Sequence, residues 1–311
     1  MVQARSFRMI QWAIVVAIFI FLGKMVWDNW NQVKDASFTL QLFPFILSIV
    51  IFASSYFIQI WAWHLITQKL EIAISVRETL ESWFYSQLGK YLPGKVWLLL
   101  SRFYFYESKG KLKKAVSIAL YLETVTVIIA GGIIFLAALI LSKEAKPFYS
   151  GEPFWWLIPL FILAFASIHP KVLQKILNWV LFKLGKESLS LPISYSDILW
   201  ILLICILAWI MGGIGFYLFV QSVYTVSPTT ILFLTGALAV SSTLGLIALF
   251  APSGLGVREG ALVYLLSYLM PGPVAVVISV LTRIWMTLIE IGLIGVIYLL
   301  SQFQQGLKNK E

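Results

Sequence analysis

Charge is scarce in this chain of 311 residues: only 12% of positions are charged, against about a quarter in a soluble domain. That scarcity excludes a water-soluble globular protein, a disordered chain and a nucleic-acid binder. Cysteine is scarcer still. The one thiol, Cys205, lies inside an apolar run and cannot form an internal disulfide, so a secreted disulfide scaffold is excluded as well. The chain has 2 histidines, His64 and His169, far apart in sequence, which leaves few ligands for a metal cluster. Asp28, Asp35 and Asp197 all fall in loops, so no pair of intramembrane aspartates is expected. The chain has no HExxH, GxSxG or Walker pattern, and no catalytic residue, cofactor or metal is expected.

What the chain has instead is apolar length. Hydrophobic residues make up 60% of it, and mean hydropathy is +0.90. The runs are too long, and alternate too little, for an outer-membrane barrel, so the expected fold class is an all-α polytopic membrane protein. At roughly 20 residues per passage, about six to eight crossings fit and no sizeable soluble domain remains. Spans are expected near 9–23, 42–66, 115–141, 155–168, 198–220 and 274–300. The stretches 71–108 and 229–270 read as hairpins that enter and leave on one side, giving about six full spans plus two hairpins, or about eight spans if each hairpin supplies one. Asp197 is placed to cap the helix that follows it.

The formal charge of +9 reads as a topology signal. With the N-terminus in the cytoplasm, that side holds two cations at the start, nine from Lys69 to Lys114, four from Lys171 to Lys186 and two in the tail. The outer side holds five: Lys24, Lys34, Lys143, Lys146 and Arg258. The expectation is a cell-membrane protein with both termini cytoplasmic. Arg5 and Arg8 followed by an apolar stretch resemble a signal peptide, but without a small-x-small cleavage site the segment reads as an uncleaved first helix.

A long internal repeat is visible. Ala115-Val-Ser-Ile-Ala-Leu-Tyr-Leu-Glu123 resembles Ala275-Val-Val-Ile-Ser-Val-Leu-Thr-Arg283, and Tyr91-Leu-Pro-Gly94 resembles Ala251-Pro-Ser-Gly254. Each half, about 1–141 and about 155–300 of a single transmembrane domain, reads as span, helix, Pro/Gly break, short helix, span. An odd number of crossings in the first half inverts the second. Inverted repeats with broken helices are a transporter layout.

The breaks carry the candidate chemistry. Pro93 removes a backbone donor and Gly94 permits positive φ, so a helix stops there and another starts near Lys95. Its free N–H groups, with Lys95 and Arg102 on one face, suit a phosphate or another anionic head group. Pro252, Gly254 and Gly256 form the second break, followed by Arg258 and Glu259 in the first turn of the next helix. Glu259 suits that dipole end and Arg258 does not; an anionic ligand or a carboxylate partner would explain it. Glu123, Arg283 and Glu290 lie inside spans, where each is costly and a default functional candidate. Glu123 and Arg283 occupy equivalent repeat positions and are expected to pair across the repeat interface, with Arg283 and Glu290 bracketing a ligand. His64 reads as an interfacial hydrogen-bonder, and Phe103 to Tyr106 as an interface belt.

Leu92-Pro-Gly-Lys-Val-Trp97 with Arg102 and Glu123, then Pro252-Ser-Gly-Leu-Gly-Val-Arg-Glu-Gly-Ala261 with Arg283, resemble the lysylphosphatidylglycerol synthase/flippase transmembrane-region family. The resemblance implies an integral membrane protein that moves polar-headed lipids, often anionic, aminoacylated or glycosylated. Many members carry Gly-Gly-Asp-x-x-Arg after the first Pro-Gly; here only the closing Arg102 is kept. The aminoacyl-transferase domain of the synthase members is not seen, so lipid lysylation is not expected. The expected partners are membrane lipids with anionic head groups, with an envelope-synthesis protein as a further partner and no nucleic acid. The competing readings are a non-catalytic partner of a glycosyltransferase complex and a small-solute carrier.

Overall fold

The computed structural model describes residues 30–36, 38–91, 96–145, 168–183, 192–248 and 254–308, with a few single positions besides. The expected spans at 9–23 and 155–168 lie almost wholly outside the described residues. Helices α1 (Trp30–Asp35), α2 (Leu42–Lys69), α3 (Val76–Gln87), α4 (Val96–Ser108) and α5 (Lys113–Leu141) make up the first half. Helices α6 (Pro170–Lys183), α7 (Tyr195–Val223), α8 (Ile231–Ile247), α9 (Val257–Leu266) and α10 (Gly272–Lys308) follow. No strand occurs among the described residues.

Among the described residues, five helical segments are long and apolar enough to cross a membrane: Leu42–Lys69, Lys113–Leu141, Tyr195–Val223, Pro228–Ile247 and Gly272–Phe303. The chain is therefore a multi-pass helical membrane protein. Large apolar side chains such as Leu203, Leu288, Ile291 and Leu299 stay exposed on these helices, as lipid-facing positions should. The two hairpins differ. The arms of the first, α3 and α4, have 12 and 13 residues. The first arm of the second, Pro228–Ile247, has 20 and is itself a candidate span. Helix α10 also runs to Lys308, well past the expected end near residue 300.

Local sequence sets the ends. Ser194 caps α7, its Oγ accepting from the Asp197 N–H, while Asp197 accepts in return from the Ser194 backbone N–H. Ser75 and Glu78 make the same reciprocal box at α3. Lipid provides no hydrophobic drive to bring helices together, so close packing depends on small residues. Helices α2 and α7 pack along their length, and a Cβ at Gly215 would stand 2.8 Å from the Phe52 backbone nitrogen. Tyr106, expected in an interface belt, is instead fully buried, where it accepts a 2.9 Å hydrogen bond from Trp63 Nε1. His64 bonds Thr79 Oγ1 at 3.2 Å and Gln68 Nε2 at 3.0 Å, the hydrogen-bonding role expected of it.

Candidate functional site

The residues flanking both breaks line one cavity of about 620 Å³, within the usual range for ligand sites. Lys90, Leu98 and Arg102 come from the first break, and Gly245, Leu246 and Arg258 from the second. Glu123 on α5, with Arg283 and Glu290 on α10, completes the charged lining. Pro93, Gly94, Lys95 and Pro252, also singled out in the sequence, lie outside the described residues.

Three ion pairs organise these charges, and none is the expected Glu123–Arg283 pair. Glu123 takes Arg102, from the short helix of its own half. The Arg102 guanidinium is 1% exposed and lies 4.7 Å from the Trp63 ring centroid and 5.6 Å from that of Trp83. Its Nε and Nη2 donate to Ser86 Oγ at 3.3 and 3.1 Å, and Trp83 Nε1 donates to the second Glu123 oxygen at 3.0 Å. Both members are thus saturated and held by ring faces, which suits a cation removed from water.

Arg283 takes Glu259 instead, at 3.0 Å. The other Glu259 oxygen accepts from the Gly256 N–H at 2.7 Å. One carboxylate therefore closes the start of α9 and anchors it to α10. The chain reaches that point through two left-handed residues, Gly254 at φ +69° and Gly256 at φ +82°. At Gly254 a Cβ would also meet the Gly245 backbone at 2.7 Å, so the break is pressed against the end of α8.

The physical reason for the mispairing is reach. A carboxylate in hydrocarbon takes the nearest cation, and the short helix after each break brings one of opposite sign against the following long helix. Of the three pairs at the cavity, the one that joins the halves is Lys90–Glu290. Lys90 was not singled out from the sequence; a lysine inside a glycine-bearing break, Leu88-Gly-Lys-Tyr, was the available signal. Trp63 and Trp83, the rings that hold Arg102, carried none.

Arg258 is the exception. Among the described residues it forms no ion pair. Its Nη2 donates to Met286 Sδ, a weak acceptor, and the carboxylates of Glu259 and Glu290 act on it only through space. Of the two explanations open for this arginine, a carboxylate partner is therefore not supplied by the described residues.

A family model described as the lysylphosphatidylglycerol synthase TM region matches residues 10–295. No curated protein matches the chain.

Proposed function

Because the chain belongs to the lysylphosphatidylglycerol synthase transmembrane-region family, we propose that it translocates polar-headed lipids, receiving an anionic head group in the cavity between the two breaks. The observation that carries this reading is Arg258: a cation on the lining of a membrane cavity that forms no ion pair among the described residues. Placing an arginine at membrane depth costs at least about 2.5–3.5 kcal/mol, and an anionic ligand offsets that cost. The halves follow one element order and are read as inverted copies, the layout in which substrate sites sit near the bilayer midplane. In this reading the protein moves lipid without modifying it.

Arg258, Arg283 and Glu290 form the receiving side, while Arg102 and Glu123 hold the first hairpin in register. The test is dithionite quenching of labelled lipids in proteoliposomes of the purified protein. Wild type moves anionic lipid, and Arg258→Ala stops that movement with little loss of thermal stability, because its removal leaves no carboxylate unpaired. If a folded, monodisperse wild-type protein moves none of the lipids offered, the reading is wrong.

The cation distribution supports a cell-membrane orientation with both termini cytoplasmic. In a Cys205→Ser background, Lys308→Cys should resist impermeant thiol reagents on intact cells. Labelling from outside would reverse the orientation.

A further inference from the structure

Helix α6 takes no part in the cavity. Its 14 residues, PKVLQKILNWVLFK, hold three lysines and no acid, and most of the others are apolar. That is fewer than the roughly 20 residues a passage needs. A short, basic and otherwise apolar helix suits neither bulk water nor hydrocarbon, and it is stable at the boundary between them. Its start is fixed. Ile168 is fully buried, the His169 and Tyr195 ring centroids lie 4.8 Å apart, and the Lys171 N–H donates to His169 Nδ1 at 3.2 Å. Tyr195 opens α7, so α6 begins at the end of the bundle where α7 begins.

Other cations at that end meet carboxylates. Lys69, closing α2, pairs with Asp197 in the first turn of α7. The hairpin of α3 and α4 returns the chain to the same end, where Lys109 pairs with Glu78, Arg77 with Glu81 and Lys113 with Glu107. The lysines of α6 differ. Lys171, Lys175 and Lys183 are exposed, and none forms an ion pair among the described residues. With 3.6 residues per turn, Lys171, Lys175, Trp179 and Lys183 trace one arc of roughly 120°. Trp179 is 57% exposed, and the Lys183 Nζ lies 4.2 Å from its ring centroid. A topology signal needs only a number of cations on one side; it requires neither a shared arc nor freedom from carboxylates.

We propose that α6 lies along the membrane surface, its lysines on the phosphates of an anionic leaflet and Trp179 at the level of the head groups. Charge complementarity and the apolar remainder of the helix select this occupant together. A leaflet containing anionic lipid offers hydrocarbon and negative charge side by side, whereas an acidic protein surface offers the charge alone.

The test uses the full chain in nanodiscs, with Cys205→Ser and Val172→Cys, and reads the rate at which a neutral, water-soluble maleimide labels position 172. Each lysine near an anionic surface is worth about fivefold, so three shift the seated fraction on the order of a hundredfold. Labelling should be at least about tenfold slower in discs containing phosphatidylglycerol than in pure phosphatidylcholine, and high salt should erase the difference. Replacing Lys171, Lys175 and Lys183 by glutamine should erase it too, while Lys69→Gln should preserve it. If the triple variant does not fold, the lipid and salt comparison on the parent decides. Equal rates in the two discs overturn the proposal: an open position in both leaves the helix unseated, and a shielded one in both assigns its cover to protein. Equal loss of the difference in Lys69→Gln would assign the effect to overall charge and overturn the role of α6. No lipid movement is measured, so the outcome is independent of the translocation reading.

Discussion

In the first half of the chain the short helix after the break supplies the arginine and the long helix the glutamate. In the second half the assignment is exchanged: Glu259 sits on the short helix and Arg283 on the long one. Surroundings differ too. Arg102 is wrapped by two tryptophan rings and a serine, and every oxygen of Glu123 is engaged. Across the cavity, Glu259 gives one oxygen to the Gly256 backbone, and the adjacent Arg258 donates to a thioether and forms no ion pair among the described residues. One layout has thus produced a closed pair and an open neighbourhood. Saturation, more than burial, separates a group that holds the fold from one with capacity left for a ligand.

The largest effect that sharpens this contrast is on stability in the first half. Arg102→Ala or Glu123→Ala alone should each cost about 3–5 kcal/mol by stranding a buried charge. Thermal unfolding in detergent should show the double variant recovering part of that loss. Glu123→Ala and Arg283→Ala should instead add within about 0.5 kcal/mol, because the two groups do not share a pair. Strong coupling between them would break the assignment made here.

Next come the breaks themselves. Both have a glycine pressed on backbone: a Cβ at Gly89 would lie 2.6 Å from the Leu98 nitrogen, and one at Gly254 would lie 2.7 Å from Gly245. Only Gly254 of the two also holds a positive φ. Gly254→Ala should therefore be the worse substitution, by about 1 kcal/mol for the left-handed backbone alone, and thermal unfolding of the two variants measures the difference.

The smallest effect concerns pH. Glu78, at the end of the first hairpin away from the break, is held at about 2, below its usual 4.5, by hydrogen bonds from Lys109 and Ser75. Its contribution to stability is fully present above pH 4.5 and lost as pH falls through about 2. Glu78→Gln should flatten that part of the unfolding profile and leave the second half unaffected. An unchanged profile would remove the clamp from the account.

The apolar runs made the helices legible, because length and low charge are properties of contiguous sequence. The Pro/Gly breaks were legible for the same local reason, and Arg258 and Glu259 fall in the first turn of a new helix as their position after Gly256 implies. Pairing was not legible. Glu123 and Arg283 stand at matching places of the repeat, yet partnership depends on which way each helix is turned, and no linear pattern states that. Arg102 attracted notice as a cation near a break, while the rings that make its burial tolerable lie 39 and 19 residues upstream at Trp63 and Trp83. Tyr106 was misread because an aromatic cluster beside lysines looks the same whether it faces lipid or core.

The Lys90–Glu290 pair has a meaning for biosynthesis. Arg102 meets Glu123 after 21 further residues, and Glu259 meets Arg283 after 24. Lys90 meets Glu290 only after 200 further residues. At about 5–20 residues per second, that is roughly 10–40 seconds of synthesis with a lysine in the growing bundle before its carboxylate emerges. The cavity cannot close its charge ledger until the last helix is in place, so arrival of α10 is the step that turns an inserted chain into a finished one.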